Sequence, residues 1–122
     1  MNNPYLQLLG GEIIEIEEKS SKVILEKIEP QHLNSSGRVH GGLLYSLADI
    51  ACGSLMAYYG RKSSTIEGKI NYLRSTNVSK SLTFDAELIR HGNKISFLEV
   101  KITDQQENLI ARGYFTYYSI NE

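Results

Sequence analysis

The spacing of hydrophobic residues changes character along the chain. Tyr5-Leu6-Gln7-Leu8-Leu9 stands directly before Gly10-Gly11, which predicts a short helix ended by the glycines. Segments 12–18 and 22–29 are rich in Ile and Val and are separated by Lys19-Ser20-Ser21, the pattern of a β-hairpin. Pro30 ends it, and Gln31 to Val39 has turn composition without a period, so a loop is expected. From His40 to Tyr59 the period becomes helical. Leu43, Leu44, Leu47, Ala48, Ile50, Ala51, Leu55 and Met56 cover nearly every side of one helix, the mark of a buried one, and Gly60 stops it.

The second half alternates with period two. Ile66, Gly68, Ile70 and Tyr72 interleave with Glu67, Lys69, Asn71 and Leu73, and Leu82, Phe84, Ala86 and Leu88 with Thr83, Asp85, Glu87 and Ile89. Such runs predict antiparallel strands with one packed face. Gly92-Asn93 is a hairpin turn signal. Ile95 and Phe97 then hand over to Leu98, Val100 and Ile102, a phase change that predicts a bulge or burial on both faces. Gln105 to Asn108 turns the chain into a last strand, 109–119.

The predicted order is hairpin, buried helix, four strands. A helix without a polar face must be covered, and the available partner is the antiparallel sheet, which has to wrap it. One sheet of about six strands cannot close around a helix on all sides, so a second copy of the chain is expected to complete the burial. At 122 residues the chain suits one domain, 1–122, and its 41% hydrophobic and 22% charged residues are those of a globular protein. Thirteen Lys and Arg against fourteen Asp and Glu leave no basic field, which argues against nucleic-acid binding. The single cysteine, Cys52, makes no internal disulfide and no metal cluster. The longest apolar stretch, Leu43 to Tyr59, is interrupted by Ser46, Asp49, Gly53 and Ser54, so no membrane span is expected. Met1-Asn2-Asn3-Pro4 lacks the look of a signal peptide, and a cytoplasmic location is the expectation.

One residue in the helix asks for an explanation. Asp49 is the sole carboxylate of the run, flanked by Ala48, Ile50 and Ala51. Burying it unpaired is costly or raises its pKa, so it serves either a structural contact, such as an interface ion pair or a loop cap, or chemistry. The helix entrance favours chemistry. His40-Gly41-Gly42 puts two residues without side chains at the first turn, where backbone N–H groups lack partners and can receive a carbonyl or oxyanion. Glycine costs about 1 kcal/mol against alanine inside a helix, so the pair needs a packing or approach reason. Asp49 lies eight residues beyond Gly41, roughly 12 Å along one helix. The two can serve one reacting group only across a two-fold interface, Asp49 of one copy facing Gly41 of the other.

Asn34-x-x-Gly37-x-x-His40-Gly41-Gly42-x-x-x-x-Leu47-Ala48-Asp49 resembles the hotdog-fold acyl-CoA thioesterases, specifically the phenylacetyl-CoA thioesterase (PaaI-like) subfamily. The likeness continues through Thr65-Ile66-Glu67-Gly68-Lys69-Ile70-Asn71-Tyr72-Leu73, Gly92-Asn93-Lys94 and Leu109 to Thr116. The resemblance implies an α+β hotdog fold, an antiparallel sheet wrapped around one long central helix. It implies a homodimer whose sheets join, often paired into a homotetramer, and hydrolysis of an acyl-CoA to free acid and CoA without metal or organic cofactor. Carried over residue by residue, Asp49 stands as general base or nucleophile, Gly41 as the backbone donor to the thioester carbonyl, Asn34 as the amide orienting water or thioester, and Thr65 as a hydroxyl near the attacking water.

Each candidate has a plainer reading. Asn34 can cap its own turn, Thr65 can be an ordinary strand threonine, and His40 can bond loop backbone rather than substrate. Cys52, one turn from Asp49, lacks a nearby histidine base and reads as a buried thiol. Substrate contacts are expected from His40 and Gly42 at the helix entrance. Arg74, Arg90, His91, Gly92 and Lys94, at strand ends and the adjacent turn, are candidates for the CoA phosphates. Leu73 is followed by Arg74-Ser75-Thr76 where the family often has proline, which leaves the pantetheine contacts open. Tyr45, Tyr58 and Tyr59 suit either an acyl pocket or a dimer interface. The same fold hosts dehydratases and hydratases, and a non-catalytic acyl-CoA sensor is the remaining alternative.

Overall fold

The computed structural model describes residues 3–120. A short helix, α1 (Pro4–Leu9), is capped at its start by Asn3, whose side chain accepts from the Leu6 N–H at 3.0 Å, and ended by Gly10 at φ 80. Strands β1 (Glu12–Ile16) and β2 (Ser20–Leu25) form the expected hairpin, followed by a single 3-10 turn at Pro30–His32 and the long helix α2 (Gly41–Tyr58). Strands β3 (Ser63–Tyr72), β4 (Leu82–His91), β5 (Ile95–Asp104) and β6 (Leu109–Ser119) complete one six-stranded antiparallel sheet in the order β1-β2-β4-β5-β6-β3. Because α2 lies between β2 and β3 in sequence, the helix carries the chain across the sheet to its far edge. There, among the described residues, β3 pairs with β6 alone.

The core lies between the sheet and α2. Val23, Leu25, Leu82, Phe84, Leu98, Val100, Ile102 and Phe115 on the sheet pack against Leu44, Leu47, Ala51, Leu55 and Met56 of α2, all of them buried. His32 is buried too. Its Nδ1 accepts from the Glu29 N–H at 2.8 Å, so Nε2 carries the proton and donates to the Leu9 carbonyl at 2.7 Å, tying the 3-10 turn to α1. No helix of the described residues is long and apolar enough to cross a membrane.

Several details depart from the sequence pattern. Ser20 and Ser21 belong to β2, and that strand stops at Leu25 rather than Glu29. As expected for a single sheet, the helix is not covered all round. One side of α2, carrying Tyr45, Ser46, Asp49, Ile50, Gly53 and Ala57, is only half-buried, because the sheet wraps a single side. A bulge in β3 between Thr65 and Glu67 turns Ile66 outward, although the alternation had assigned it to the packed face; it is 57% exposed. Nor does β5 change phase. It alternates throughout, with Ser96 in an inward position and Phe97 outside, and the irregularities lie on the neighbouring strands, in β4 between Leu88 and Arg90 and in β6 between Leu109 and Ala111.

Gly68 marks a close approach. A Cβ there would run into the Tyr45 hydroxyl and come within 2.9 Å of the Phe115 ring, which packs edge-on against Tyr45 with centroids 5.2 Å apart. Gly68→Ala is therefore expected to lose about 1–3 kcal/mol through overpacking, read as a lower denaturant midpoint in equilibrium unfolding.

Candidate active site

Three elements converge on Asp49. The half-open side of α2 presents the carboxylate, and the cross-strand pair Thr65↔Tyr117, from β3 and β6, lays two hydroxyls against it. Thr65 Oγ1 donates to Asp49 Oδ1 at 2.7 Å. Tyr117 Oη donates to the same oxygen at 2.6 Å and lies 2.8 Å from the Asp49 backbone carbonyl. Asp49 makes no ion pair among the described residues, so it is not one half of a salt bridge within the chain. Burial, and after it the nearby carboxylate, pushes the Tyr117 phenol far above its ordinary pKa, so it stays a protonated donor. The same causes, in the same order, push up the Tyr45 phenol and the Cys52 thiol. Cys52 is a fully buried neutral thiol rather than a nucleophile. Beside the carboxylate runs an open groove of about 350 Å³, bordered by Asp49, Gly53, Ala57, Ser63, Thr65 and Tyr117.

The start of α2 forms a second pole. His40 is the N-cap, its Nδ1 accepting from the Gly42 N–H at 2.9 Å. The Gly41 N–H has no acceptor among the described residues, while the Gly41 carbonyl accepts from Tyr72 Oη at 2.8 Å. Both glycines sit under close neighbours. A Cβ on Gly41 would lie 3.1 Å from the Tyr72 ring, and one on Gly42 would lie 3.1 Å from His40 Nδ1. Asn34 Oδ1 is committed to its own loop, accepting from the N–H groups of Ser36 at 2.9 Å and Arg38 at 3.1 Å. Its amide NH₂ makes no bond among the described residues and remains the side chain's available donor.

A family model described as the thioesterase superfamily matches residues 36–111, more than half of the chain and the whole span from the loop before α2 to the start of β6. The chain belongs to the thioesterase superfamily. The Escherichia coli acyl-coenzyme A thioesterase PaaI is 28% identical, over 90% of this chain and 78% of its own length. Its solved structure superimposes with a TM-score of 0.92 at 27% identity, covering 98% of this chain and 86% of that one, so the hotdog fold is this chain's fold. An Archaeoglobus fulgidus protein named "Putative esterase" is 30% identical across 99% of this chain and 78% of its own length. A hypothetical thioesterase from Streptococcus pneumoniae, solved with coenzyme A, is 27% identical with a TM-score of 0.84, covering 92% of this chain and 87% of that one.

In this member of the superfamily the expected cations do not gather in one place. Tyr72, the last residue of β3, rests on Gly41, so Arg74 lies at the helix-entrance end, its N–H on the Ile110 carbonyl at 3.1 Å. Arg90, His91, Gly92 and Lys94 lie at the opposite end, beside the end of α2. The His91 ring packs on Tyr59 at 4.4 Å, and burial, with Arg61 second, lowers its basicity. Arg61, a residue the sequence pattern did not single out, holds that turn by donating to the Gly92 carbonyl at 2.9 Å and the Asn93 carbonyl at 2.8 Å. Tyr117 was missed as well. Its inward position between Phe115 and Ser119 on β6, which makes it a buried phenol in need of an acceptor, emerges only in the fold. Among the described residues no three His, Cys, Asp or Glu side chains come together as a metal would require.

Proposed function

We propose that this protein hydrolyses the thioester of a small aliphatic or aryl acyl-CoA to the free acid and CoA, at a site completed by a second copy of the chain. The observation that carries the reading is Asp49, a carboxylate without a cationic partner among the described residues, on the half-open side of α2, beside a groove and clamped by two hydroxyls, in a member of the thioesterase superfamily. PaaI, the E. coli relative, is named for acyl-CoA thioester hydrolysis, and the S. pneumoniae relative was solved with coenzyme A.

The chemistry balances without a further reactant. Asp49 takes a proton from water as the water oxygen adds to the thioester carbon, or attacks that carbon itself to form an anhydride that water then opens. The Gly41 N–H of the partner subunit faces the developing oxyanion. Collapse breaks the C–S bond, and the CoA sulfur leaves as a thiolate that takes up the proton, giving acid and free thiol. No metal or organic cofactor takes part in this scheme.

Two features support a homodimer. Among the described residues the outer edge of β3 has no strand partner, and α2 keeps one side half-open, so pairing β3 with its two-fold copy would extend the sheet and cover that side. Antiparallel pairing would set the entrance of one α2 near the far end of the other. Gly41 would then approach Asp49 of the partner subunit, and Arg74 would approach Lys94 of the partner subunit, where a CoA phosphate needs cations. Two such dimers give the homotetramer that the resemblance implies. The fully buried free thiol of Cys52 suits a reducing, cytoplasmic setting.

The test is release of free CoA thiol from acetyl-, hexanoyl-, palmitoyl-, phenylacetyl- and benzoyl-CoA by the wild type and Asp49→Ala. Hydrolysis of one acyl class, lost in the variant, is the expected result. Tight acyl-CoA binding with no turnover of any thioester would mean a sensor instead of an enzyme.

A further inference from the structure

The hydrogen bonds around Asp49 distinguish its two oxygens. Oδ1 accepts from both Thr65 and Tyr117, whereas Oδ2 has no partner among the described residues. We propose that Tyr117 is a positioning residue for thioester hydrolysis: with Thr65 it immobilises the carboxylate by Oδ1 and reserves Oδ2 as the oxygen that reacts. This rests on the acyl-CoA hydrolysis reading above and deepens it.

An aspartate's terminal torsion is broad and two-fold, so a free carboxylate exchanges its oxygens and spreads over many orientations. Two donors on one oxygen remove that freedom, and a fixed attack geometry is among the largest contributions a protein makes to rate. Thr65 alone would leave the group to pivot about a single bond. Tyr117 adds a second anchor from the other strand, and its hydroxyl also lies on the Asp49 carbonyl, which ties it to the helix backbone. The helix makes room for this contact. Gly53, one turn on, would bring a Cβ to 3.3 Å from Tyr117 Oη, which accounts for a glycine in mid-helix.

The groups around the carboxylate bring no charge that would hold it in place. From α2, Tyr45 and Cys52 face it, both held neutral by burial and by its charge. From β6 comes Tyr117, neutral for the same reasons, and β3 contributes the Thr65 hydroxyl. Its orientation therefore rests on the two hydroxyl donors.

The experiment measures kcat and KM for the wild type, Asp49→Ala and Tyr117→Phe. Phenylalanine keeps the ring and removes one donor. The expected result is a fall in kcat of about ten- to thirtyfold with KM within about twofold. An inactive Asp49→Ala beside a Tyr117→Phe enzyme with wild-type kcat overturns the positioning role and leaves the hydrolysis reading intact. A change confined to KM overturns it equally. Turnover that survives Asp49→Ala takes Asp49 out of the reaction and overturns the positioning role with it, whereas a wild type without turnover removes the hydrolysis reading. If the phenylalanine variant does not fold, 3-fluorotyrosine at position 117 keeps ring and hydroxyl and alters only the strength of the donor; kcat should then change with KM unmoved, and an unchanged kcat overturns the proposal.

Discussion

Asp49→Asn is expected to lower kcat for thioester hydrolysis by about 10²–10⁴-fold while leaving the fold intact, the range general-base catalysis supplies elsewhere. The amide keeps an oxygen where Oδ1 stands, so Thr65 and Tyr117 still have an acceptor, but it can neither take a proton from water nor attack the thioester. Asp49→Ala should lose the same activity and be less stable as well. It removes the side-chain oxygen that Thr65 and Tyr117 share, while Tyr117 keeps the Asp49 backbone carbonyl, so the cost is that of a lost hydrogen bond, about 0.5–1.5 kcal/mol. Parallel rate measurements and thermal melts separate the two losses. An Asp49→Asn enzyme with wild-type turnover would take Asp49 out of the reaction.

Gly41→Pro should cost about 10²–10³ in kcat, the loss seen when one oxyanion donor is removed from an acyl-transfer site. Proline suits the first helical position, and His40, at φ −63 and ψ 133, already has the extended conformation that a residue before proline requires. The substitution therefore deletes one N–H and keeps the helix. Its new ring crowds Tyr72, so Gly41→Ala, with its Cβ at the same 3.1 Å contact but the N–H retained, is the control. Gly41→Ala well above Gly41→Pro assigns the loss to the donor; equal losses assign it to crowding. Mixing Asp49→Asn with Gly41→Pro chains tests the shared site. If each site takes Gly41 from one chain and Asp49 from the other, a mixed dimer holds one intact site, and activity returns to about a quarter of wild type after statistical exchange. No recovery in demonstrably mixed dimers would place both residues' work within a single chain.

The two poles of the site were not equally legible. Asp49 and the glycines of the α2 entrance stood out because each breaks a local rule, a carboxylate in an apolar run and two glycines inside a helix. Tyr117 broke none. Tyr114, Tyr117 and Tyr118 lie within five residues on β6, and nothing local says which phenol faces the helix. That was decided by the pairing of Tyr117 with Thr65, a contact between residues far apart in sequence. Ile66 shows the reverse case. Its alternation was regular, yet the bulge beside it turned the side chain to the surface, because one extra residue in a strand exchanges its two faces.

The sequence by itself determined the order of elements, the long apolar helix with its single carboxylate, the glycine entrance and the resemblance to a thioesterase family. These are written in periodicity, composition and short motifs, which depend on neighbours a few residues away. Only the tertiary structure decided which side of α2 stays open, which hydroxyls clamp Asp49 and which of its oxygens is free. It also divided Arg74 from Arg90, His91 and Lys94 between opposite ends of the sheet. Each of these depends on strand register and on the direction of side chains across pairs distant in the chain, quantities that no local spacing carries.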